Sequence, residues 1–247
     1  MIKKDSIRTH TFLIQTKRET VVPMPLDFIF HLEQAIDYHE WFYQTHHYGK
    51  IYSDTVDDIT RPECIIPVGT VEFVCDYFKA HYGNVPKPWN VPESLFLYAK
   101  RKIKNNELPM GDVNFVKSND TIKEINNGAH NKDNPYTVGD NFQASEIVDD
   151  IQSEWRGFVF NGELLDIRSY SGEFDVFPDM IEVRSMIKDF TDSPEAYTID
   201  VGVSPSRGTF LIEVHDFFSC GLYGFERYDL LPIMLCRCYY NLVKKLS

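Results

Sequence analysis

Three polar side chains able to bind a metal ion lie at the ends of two consecutive predicted strands. Asp200 follows Tyr-Thr-Ile in one strand, and Glu213 and His215 end the next, mostly apolar strand. Alternate residues share one face of a strand, so Glu213 and His215 point the same way, and antiparallel pairing would bring Asp200 beside them. Such a group suits a divalent ion that is also held by substrate phosphates. The alternative is that polar residues simply mark where these strands leave the core.

A lysine lies in a third apolar strand. Lys117 follows Phe115 and Val116 at the predicted core boundary, where an ammonium group usually has an anionic partner. The polar stretch after it contains Lys123 and Gly128, and a loop of this kind can fold over phosphates with its amides and its lysine. The alternatives are a lysine whose charged end reaches solvent and an ordinary surface loop.

Glu154 and Arg156 occupy alternate positions of the segment Ser-Glu-Trp-Arg-Gly-Phe-Val-Phe, so they share a strand face. A guanidinium group can bind a phosphate or a carboxylate through two parallel hydrogen bonds. The alternative is a surface ion pair between neighbouring strands, which would contribute little to stability.

Turn and cap signals place the elements that carry these residues. Asn161 and Gly162 separate two alternating segments and form the strongest hairpin signal in the chain. Thr70 and Gly83 predict the start and the end of a helix over about residues 70–81. Three prolines within residues 84–95 predict a linker between lobes.

Hydrophobic periodicity predicts the remaining elements. The predicted strands cover residues 11–14, 64–66, 112–118, 142–148, 196–203 and 208–215. Apolar residues at helical spacing occur in residues 25–46, and the other predicted helices cover residues 93–105, about 180–190 and about 228–245.

The composition limits the classes of function. The 247 residues include 43% hydrophobic ones, as in ordinary globular proteins, and the net charge of −12 argues against long nucleic acid as a partner. No apolar run approaches the roughly 20 residues needed to span a bilayer, and the N-terminal segment lacks the features of a signal peptide. The five cysteines include no C-x-x-C pair, which favours reduced thiols and a cytoplasmic protein without a membrane partner.

The order of these features resembles the ATP-grasp superfamily. Along the chain, the order is a strand with a lysine, a loop with a lysine, a strand with the E-x-R pattern, a strand with a single aspartate, and a strand with the E-x-(Asn-like) pattern. More narrowly, the chain is similar to the small phage and bacterial ATP-grasp clade named for one arginine and two lysines. The resemblance rests on IPVGTVEFV, NFVKSNDTIKEINNG, SEWRGFVFNGELL, YTIDVGV and LIEVHDFFSCGLYGF. The last segment, with its glycine-bracketed Leu-Tyr pair, is the most specific.

The resemblance implies a set of nucleotide-binding residues. Two of them are lysines, three form a hinge that meets adenine through its backbone, and one is the glutamate of the E-x-R strand. They are Lys117, Lys123, Glu146, Ile147, Val148 and Glu154. Lys123 is expected to take part in catalysis as well.

The resemblance also implies catalytic and metal-binding residues. Arg156 would face the γ-phosphate and an acyl phosphate, and Asp200 and Glu213 would be magnesium ligands. The chain departs from the family at His215, where the family usually has Asn. Neutral imidazole can bind a metal, but it is a softer donor than an amide oxygen, and Asp216 could complete the coordination.

These implications give an α/β protein with three lobes. We expect an N-terminal lobe at residues 1–92 and two ATP-grasp lobes at residues 93–149 and 150–247, with ATP between the latter two and the metal site in the last. The implied activity is ATP-dependent ligation of a carboxylate to an amine through an acyl phosphate, with Mg²⁺ or Mn²⁺ as the ion. The substrates would be small molecules or peptides.

Two other functions stay open at this stage. One is a metal-dependent phosphohydrolase that uses Asp200, Glu213 and His215. The other is a nucleotide-binding module with little catalytic activity, which the histidine at position 215 makes plausible.

Overall fold

The computed structural model describes residues 10–44, 47–57, 59–107, 113–122, 127–131, 133–136 and 139–246. Its contacts group the chain into two compact units, Met1–Pro86 with Phe217–Ser247, and Lys87–Asp216. The first boundary falls inside the proline-rich stretch predicted to be a linker. The grouping does not separate the two sheets of the second unit, so the three-lobe division at residues 92 and 149 stays a prediction.

A three-stranded parallel sheet organises the first unit. Its strands are β1 (His10–Gln15), β2 (Tyr48–Ser53) and β3 (Ile65–Val68), in the order β2–β1–β3. β1 is central, and its apolar residues 12–14 are fully buried, as expected for a parallel strand covered on both faces. The strand predicted at residues 11–14 is confirmed.

Four α-helices occur in the described residues: α1 (Asp27–Tyr43), α2 (Val71–Tyr82), α3 (Met180–Asp189) and α4 (Leu231–Leu246). All but α3 belong to the first unit. The predicted ends of α2 are confirmed, because the Thr70 hydroxyl accepts a hydrogen bond from the Phe73 amide and Gly83 adopts a left-handed backbone with φ of 73°. None of these helices is both long and apolar enough to cross a membrane.

The described residues of the second unit form two antiparallel four-stranded sheets. The order of the first sheet is β4–β7–β5–β6, and that of the second is β11–β10–β8–β9. The strands are β4 (Ile103–Asn105), β5 (Val113–Ser118), β6 (Gly128–Asn131), β7 (Phe142–Ser145), β8 (Ser153–Phe160), β9 (Glu163–Gly172), β10 (Ala196–Ser204) and β11 (Gly208–Asp216).

Strand alternation gives the second sheet one apolar face and one polar face. Trp155, Val159 and Ile199 lie in a buried core that also includes Val183 and Met186 of α3. Arg156 and Asp200 each follow one of these core residues in sequence, so their side chains point to the opposite face. Burial of one face therefore fixes which side chains of β8 and β10 are presented on the other.

A β-bulge in β11 changes this alternation at one point. Asp200 pairs with Glu213, the register then shifts by one residue, and Ile212 is the extra residue. As a result Leu211 and Val214, three residues apart, both reach the core. The bulge lets the apolar face continue while Glu213 points to the polar face.

The hairpin predicted at Asn161 and Gly162 is confirmed. These two residues connect β8 to β9, and their φ angles are 51° and 76°. Two consecutive left-handed residues form the turn whose twist matches that of the flanking strands. The turn thus fixes the start of the β8–β9 pairing.

The helix predicted at residues 93–105 is wrong. A 3-10 helix covers Glu93–Ala99, Lys100 is left-handed with φ of 49°, and β4 follows. Pairing of β4 with β7 is a long-range interaction that outweighs local helix propensity. The strand predicted at residues 142–148 is shorter than expected, because β7 ends at Ser145.

Replacing Gly162 tests the hairpin. A Cβ at this position meets no atom within 4 Å, so the penalty for Gly162→Ala comes from the left-handed backbone alone. We expect Gly162→Ala to lower the free energy of unfolding by roughly 1–2 kcal/mol. Gly162→Asn should lower it less, because Asn tolerates this conformation. Urea unfolding measures both, and equal midpoints for the two variants would contradict this account of the turn.

Candidate functional site

A cleft of about 500 Å³ lies within the second unit. Both sheets line it, together with residues 146–148 and Ile151 of the connection between β7 and β8. One group of lining side chains is apolar and includes Phe115, Ile147 and Phe210. The other group is charged and consists of Arg101, Lys117, Glu146, Glu154, Arg156, Asp200 and Glu213. The cleft can therefore receive a ligand that has an apolar part and a charged part.

Three charged side chains form a row across the polar face of the second sheet. Glu213 lies opposite Asp200, and Asp200 lies opposite Arg156, so the three belong to adjacent strands and point to one side. Arg156 donates from Nε and Nη2 to the two carboxylate oxygens of Asp200 at 2.8 and 2.7 Å. Arg156 is 9% exposed and Asp200 1%, so this is a buried bidentate ion pair.

The structure brings together the three residues that the sequence suggested as a metal site. One donor atom each from Asp200, Glu213 and His215 lies within 4.8 Å of the others. His215 Nε2 is 2.8 Å from a carboxylate oxygen of Glu213. Burial lowers the pKa of His215 to about 4, so the imidazole is neutral at pH 7. Two carboxylates and a neutral imidazole are a donor set that fits a divalent cation.

Asp216 is not part of this cluster. It lies opposite Tyr197 in the β10–β11 ladder, and adjacent strand residues point to opposite faces. Asp216 therefore lies on the other face of the sheet from His215. The suggestion that Asp216 completes the coordination does not fit this arrangement.

Lys117 reaches the charged row from the first sheet. Its ammonium group contacts a carboxylate oxygen of Glu213, which is the anionic partner expected for a half-buried lysine. Nζ also lies 5.7 Å from the centroid of the Phe115 ring. Burial lowers the pKa of Lys117 to about 8, so the group keeps its charge at pH 7.

Glu154 and Arg156 share a face but have different partners. Arg156 binds Asp200, and Glu154 accepts a hydrogen bond of 2.8 Å from the Tyr170 hydroxyl. The guanidinium carbon of Arg156 lies 5.7 Å from the Tyr170 ring centroid. Burial, Asp200 and Glu154 together raise the pKa of Tyr170, so its hydroxyl stays protonated and acts as the donor.

The predicted hinge residues Glu146, Ile147 and Val148 all line the cleft, as an irregular segment after β7. Glu146 is fixed to Lys102, because its amide donates to the Lys102 carbonyl at 3.0 Å and its carboxylate accepts from the Lys102 amide at 3.1 Å. This backbone contact lowers the pKa of Glu146. No backbone hydrogen bond of Ile147 or Val148 occurs within the described part of the chain.

Comparison with known families identifies this cleft-bearing region. Residues 99–232, just over half of the chain, match an ATP-grasp domain family, the second family of the clade named for one arginine and two lysines. The chain belongs to this clade of the ATP-grasp superfamily. The family resemblance and the α/β fold class predicted from the sequence are thereby confirmed.

Solved structures agree with this ATP-grasp assignment. A RimK domain ATP-grasp protein from Sphaerobacter thermophilus matches with a TM-score of 0.51 and 10% identity, over 95% of this chain and 99% of that one. The D-cycloserine synthetase DcsG matches with a TM-score of 0.51 and 8% identity, over 96% of this chain and 100% of that one. N5-carboxyaminoimidazole synthetase from Staphylococcus aureus matches with a TM-score of 0.50 and 10% identity, over 92% of this chain and 77% of that one. Identities this low show a shared fold. Among curated proteins, no sequence matches significantly.

One predicted residue of the ATP-grasp site cannot be placed. Lys123, proposed as the second nucleotide lysine and as a catalytic residue, lies outside the described residues. The other predicted residues either line the cleft or, in the case of His215, contact a residue that does.

The residues of this ATP-grasp cleft that were missed from the sequence include Tyr170 and Arg101. Tyr170 donates to Glu154, but the hairpin turn alone could not have revealed this contact, because the β8–β9 register shifts twice between the turn and Glu154. Arg101 donates to the carbonyls of Leu211 and Ile212 at 2.6 and 3.0 Å, on the outer edge of β11. No local signal reveals a contact over more than a hundred residues.

Replacing one partner of the buried Arg156–Asp200 ion pair of the ATP-grasp sheet should destabilise the protein more than replacing both partners. Arg156→Met leaves the Asp200 carboxylate buried without its guanidinium, which should cost about 3 kcal/mol of unfolding free energy. Adding Asp200→Asn removes the uncompensated charge and should restore part of that loss. Urea unfolding of the wild type, both single variants and the double variant measures the coupling. A double variant whose loss equals or exceeds the sum of the single losses would contradict a mutually compensating pair.

Proposed function

We propose that the cleft binds ATP and that the protein is an ATP-dependent carboxylate–amine ligase. The observation that carries the proposal is the charged row Glu213–Asp200–Arg156, which faces Lys117 in a cleft that also has apolar walls. A nucleoside triphosphate has this same division into an apolar base and a charged tail. The ATP-grasp fold, shared with two solved proteins named as synthetases, supports the assignment.

The apolar part of the cleft suits adenine. Phe115, Ile147 and Phe210 provide flat or branched apolar surface. The backbone groups of Ile147 and Val148 would supply the donor and the acceptor that recognise the edge of the base. Glu154, oriented by Tyr170, would accept hydrogen bonds from ribose hydroxyls.

The charged part suits the phosphates. Lys117 and Arg156 would bind phosphate oxygens, Arg156 through two parallel hydrogen bonds. Lys123 is proposed as a further phosphate contact on the strength of the family resemblance. Asp200 and Glu213, with His215, would hold Mg²⁺ or Mn²⁺, which when bound neutralises phosphate charge.

The contacts within the site imply that nucleotide and divalent ion bind together. Both cations already contact carboxylates, Lys117 with Glu213 and Arg156 with Asp200. Turning them towards phosphates would leave the buried carboxylate of Asp200 and the partly buried carboxylate of Glu213 without a cation, which is costly. ATP affinity should therefore depend strongly on the divalent ion.

The proposed reaction needs no nucleophilic side chain. A substrate carboxylate oxygen attacks the γ-phosphorus and ADP leaves with the electrons of the broken P–O bond. The amine then attacks the acyl carbon, loses a proton and displaces inorganic phosphate. Arg156 would stabilise the charge on the transferred group in both steps, so positioning and fixed charge would provide most of the rate enhancement.

Removing Lys117 tests nucleotide binding. We expect Lys117→Ala to raise the Kd for ATP at saturating Mg²⁺ by about tenfold or more, since a charge-assisted contact is lost. Lys188→Ala is the control, because Lys188 is exposed on α3 of the same unit. Isothermal titration measures both, with unfolding curves to show that each variant folds. Unchanged affinity in folded Lys117→Ala would remove the lysine from the nucleotide site.

Product analysis distinguishes a ligase from the two alternative functions, a phosphohydrolase and a nucleotide-binding module. Wild-type protein is incubated with ATP, Mg²⁺ or Mn²⁺ and pooled carboxylates and amines, and ADP and phosphate are measured with each component omitted. A ligase forms ADP only when a carboxylate is present and forms an amide only with the amine. Phosphate release without either substrate would indicate a phosphohydrolase, and ATP binding without turnover in any pool would indicate a binding module.

His215 should affect the choice of metal. The imidazole nitrogen is a softer donor than an oxygen and favours Mn²⁺ over Mg²⁺. We expect His215→Asn to raise the ratio of Mg²⁺-supported to Mn²⁺-supported ADP formation several-fold, while His31→Asn in the first unit leaves the ratio unchanged. An unchanged ratio in an active His215→Asn variant would show that His215 does not bind the ion.

A further inference from the structure

A short segment links the two sheets of the second unit beside the cleft. The Asn90 carbonyl accepts a hydrogen bond of 2.8 Å from the Val214 amide, on the outer edge of β11. The Asn90 side-chain amide donates to the Ser118 carbonyl at 2.8 Å and to Asn119 Oδ1 at 2.9 Å, at the end of β5. One residue therefore holds the second sheet through its backbone and the first sheet through its side chain.

Val91 adds a second attachment to the first sheet. Its amide donates to Gln143 Oε1 and its carbonyl accepts from Gln143 Nε2, both at 3.0 Å. Gln143 lies directly opposite Lys117 in the β5–β7 ladder. We call the pair Asn90 and Val91 the clamp.

The clamp is hydrogen-bonded to the sequence neighbours of Lys117 and Glu213, the two residues that meet at the charged end of the cleft. Val214 follows Glu213, Ser118 follows Lys117, and the side chains of Lys117 and Glu213 contact each other. A shift of either strand would separate these two groups. The clamp is therefore placed where it can fix the distance between them.

The side chain of Asn90 makes contacts that glycine could not make. The φ of Asn90 is 48°, a left-handed conformation that asparagine tolerates better than most residues with a Cβ. Glycine would adopt it freely but could not bond Ser118 or Asn119. Asn90 is also only 4% exposed and lines the cleft, so its amide group is committed to these two acceptors.

We infer that Asn90 is a positioning residue, which holds β5 against β11 so that Lys117 is aligned for the phosphates. The alignment of strands can be measured without ligand, whereas its consequence for the nucleotide rests on the proposed function.

Asn90→Gly is the sharpest variant, because it keeps the carbonyl that binds Val214 and is compatible with the left-handed φ, while it deletes both side-chain bonds. Asn90→Asp keeps the size of the side chain but places a carboxylate against two oxygen acceptors. Asn161→Gly is the matched control, since Asn161 is also left-handed and lies in the β8–β9 turn. All variants are first checked for cooperative unfolding.

The first measurement is hydrogen exchange in the absence of ligand. The Val214 amide should exchange about tenfold faster in both Asn90 variants than in wild type, as expected when a local contact of one hydrogen-bond magnitude is weakened. It should be unchanged in Asn161→Gly. Wild-type exchange at Val214 in both Asn90 variants would overturn the inference, whether or not the protein binds ATP.

The second measurement is ATP affinity at saturating Mg²⁺. Asn90→Gly should raise the Kd by about tenfold, and the double variant with Lys117→Ala should have the Kd of Lys117→Ala alone within about twofold, because Asn90 acts through Lys117. Losses that multiply, or no loss in Asn90→Gly, would overturn the positioning role. Wild-type protein that does not bind ATP would instead overturn the proposed function, and hydrogen exchange alone would then decide whether Asn90 aligns the strands.

Discussion

Arg156 and Asp200 place opposite charges side by side inside the second sheet, joined by two hydrogen bonds of 2.8 and 2.7 Å. Either charge alone would be costly at this depth, so each is tolerated because the other is present. The pairing requires β8 and β10 to meet with these two residues directly opposite. A slip of one residue would turn every side chain of a strand to the other face. The register of this sheet is therefore the condition for the whole charged row.

Several local features protect that register. The Asn161–Gly162 turn sets the β8–β9 pairing, and the bulge at Ile212 keeps the apolar face of β11 in the core while Glu213 joins the row. Arg101 and Asn90 bind the outer edge of β11 on either side of Glu213. These contacts hold Glu213 where Lys117 can meet it across the cleft.

Much of this could be predicted from the sequence, because it depends on local signals. The turn at Asn161, the cap at Thr70 and the alternation of the β8 residues each act over a few positions, and the order of the charged residues along the chain was enough to reveal the ATP-grasp family. Antiparallel pairing of two consecutive predicted strands placed Asp200, Glu213 and His215 together, as the structure does.

The failures have a common physical cause, which is dependence on distant partners. Lys100 ends a segment predicted as helix because β4 pairs with β7 some forty residues later. Arg101 and Asn90 both contact β11, more than a hundred residues away, and Asn90 also contacts the end of β5. The Arg156–Asp200 pair was also missed, although both residues were identified, because their register depends on a pairing between strands separated by α3.

The most direct test of the account is a crystal structure with a non-hydrolysable ATP analogue and Mn²⁺, in which anomalous scattering locates the ion. The account predicts a manganese peak bound by Asp200 and Glu213, a γ-phosphate within hydrogen-bonding distance of Arg156, and adenine beside Ile147. A nucleotide bound outside this cleft, or a manganese peak that touches neither carboxylate, would contradict it.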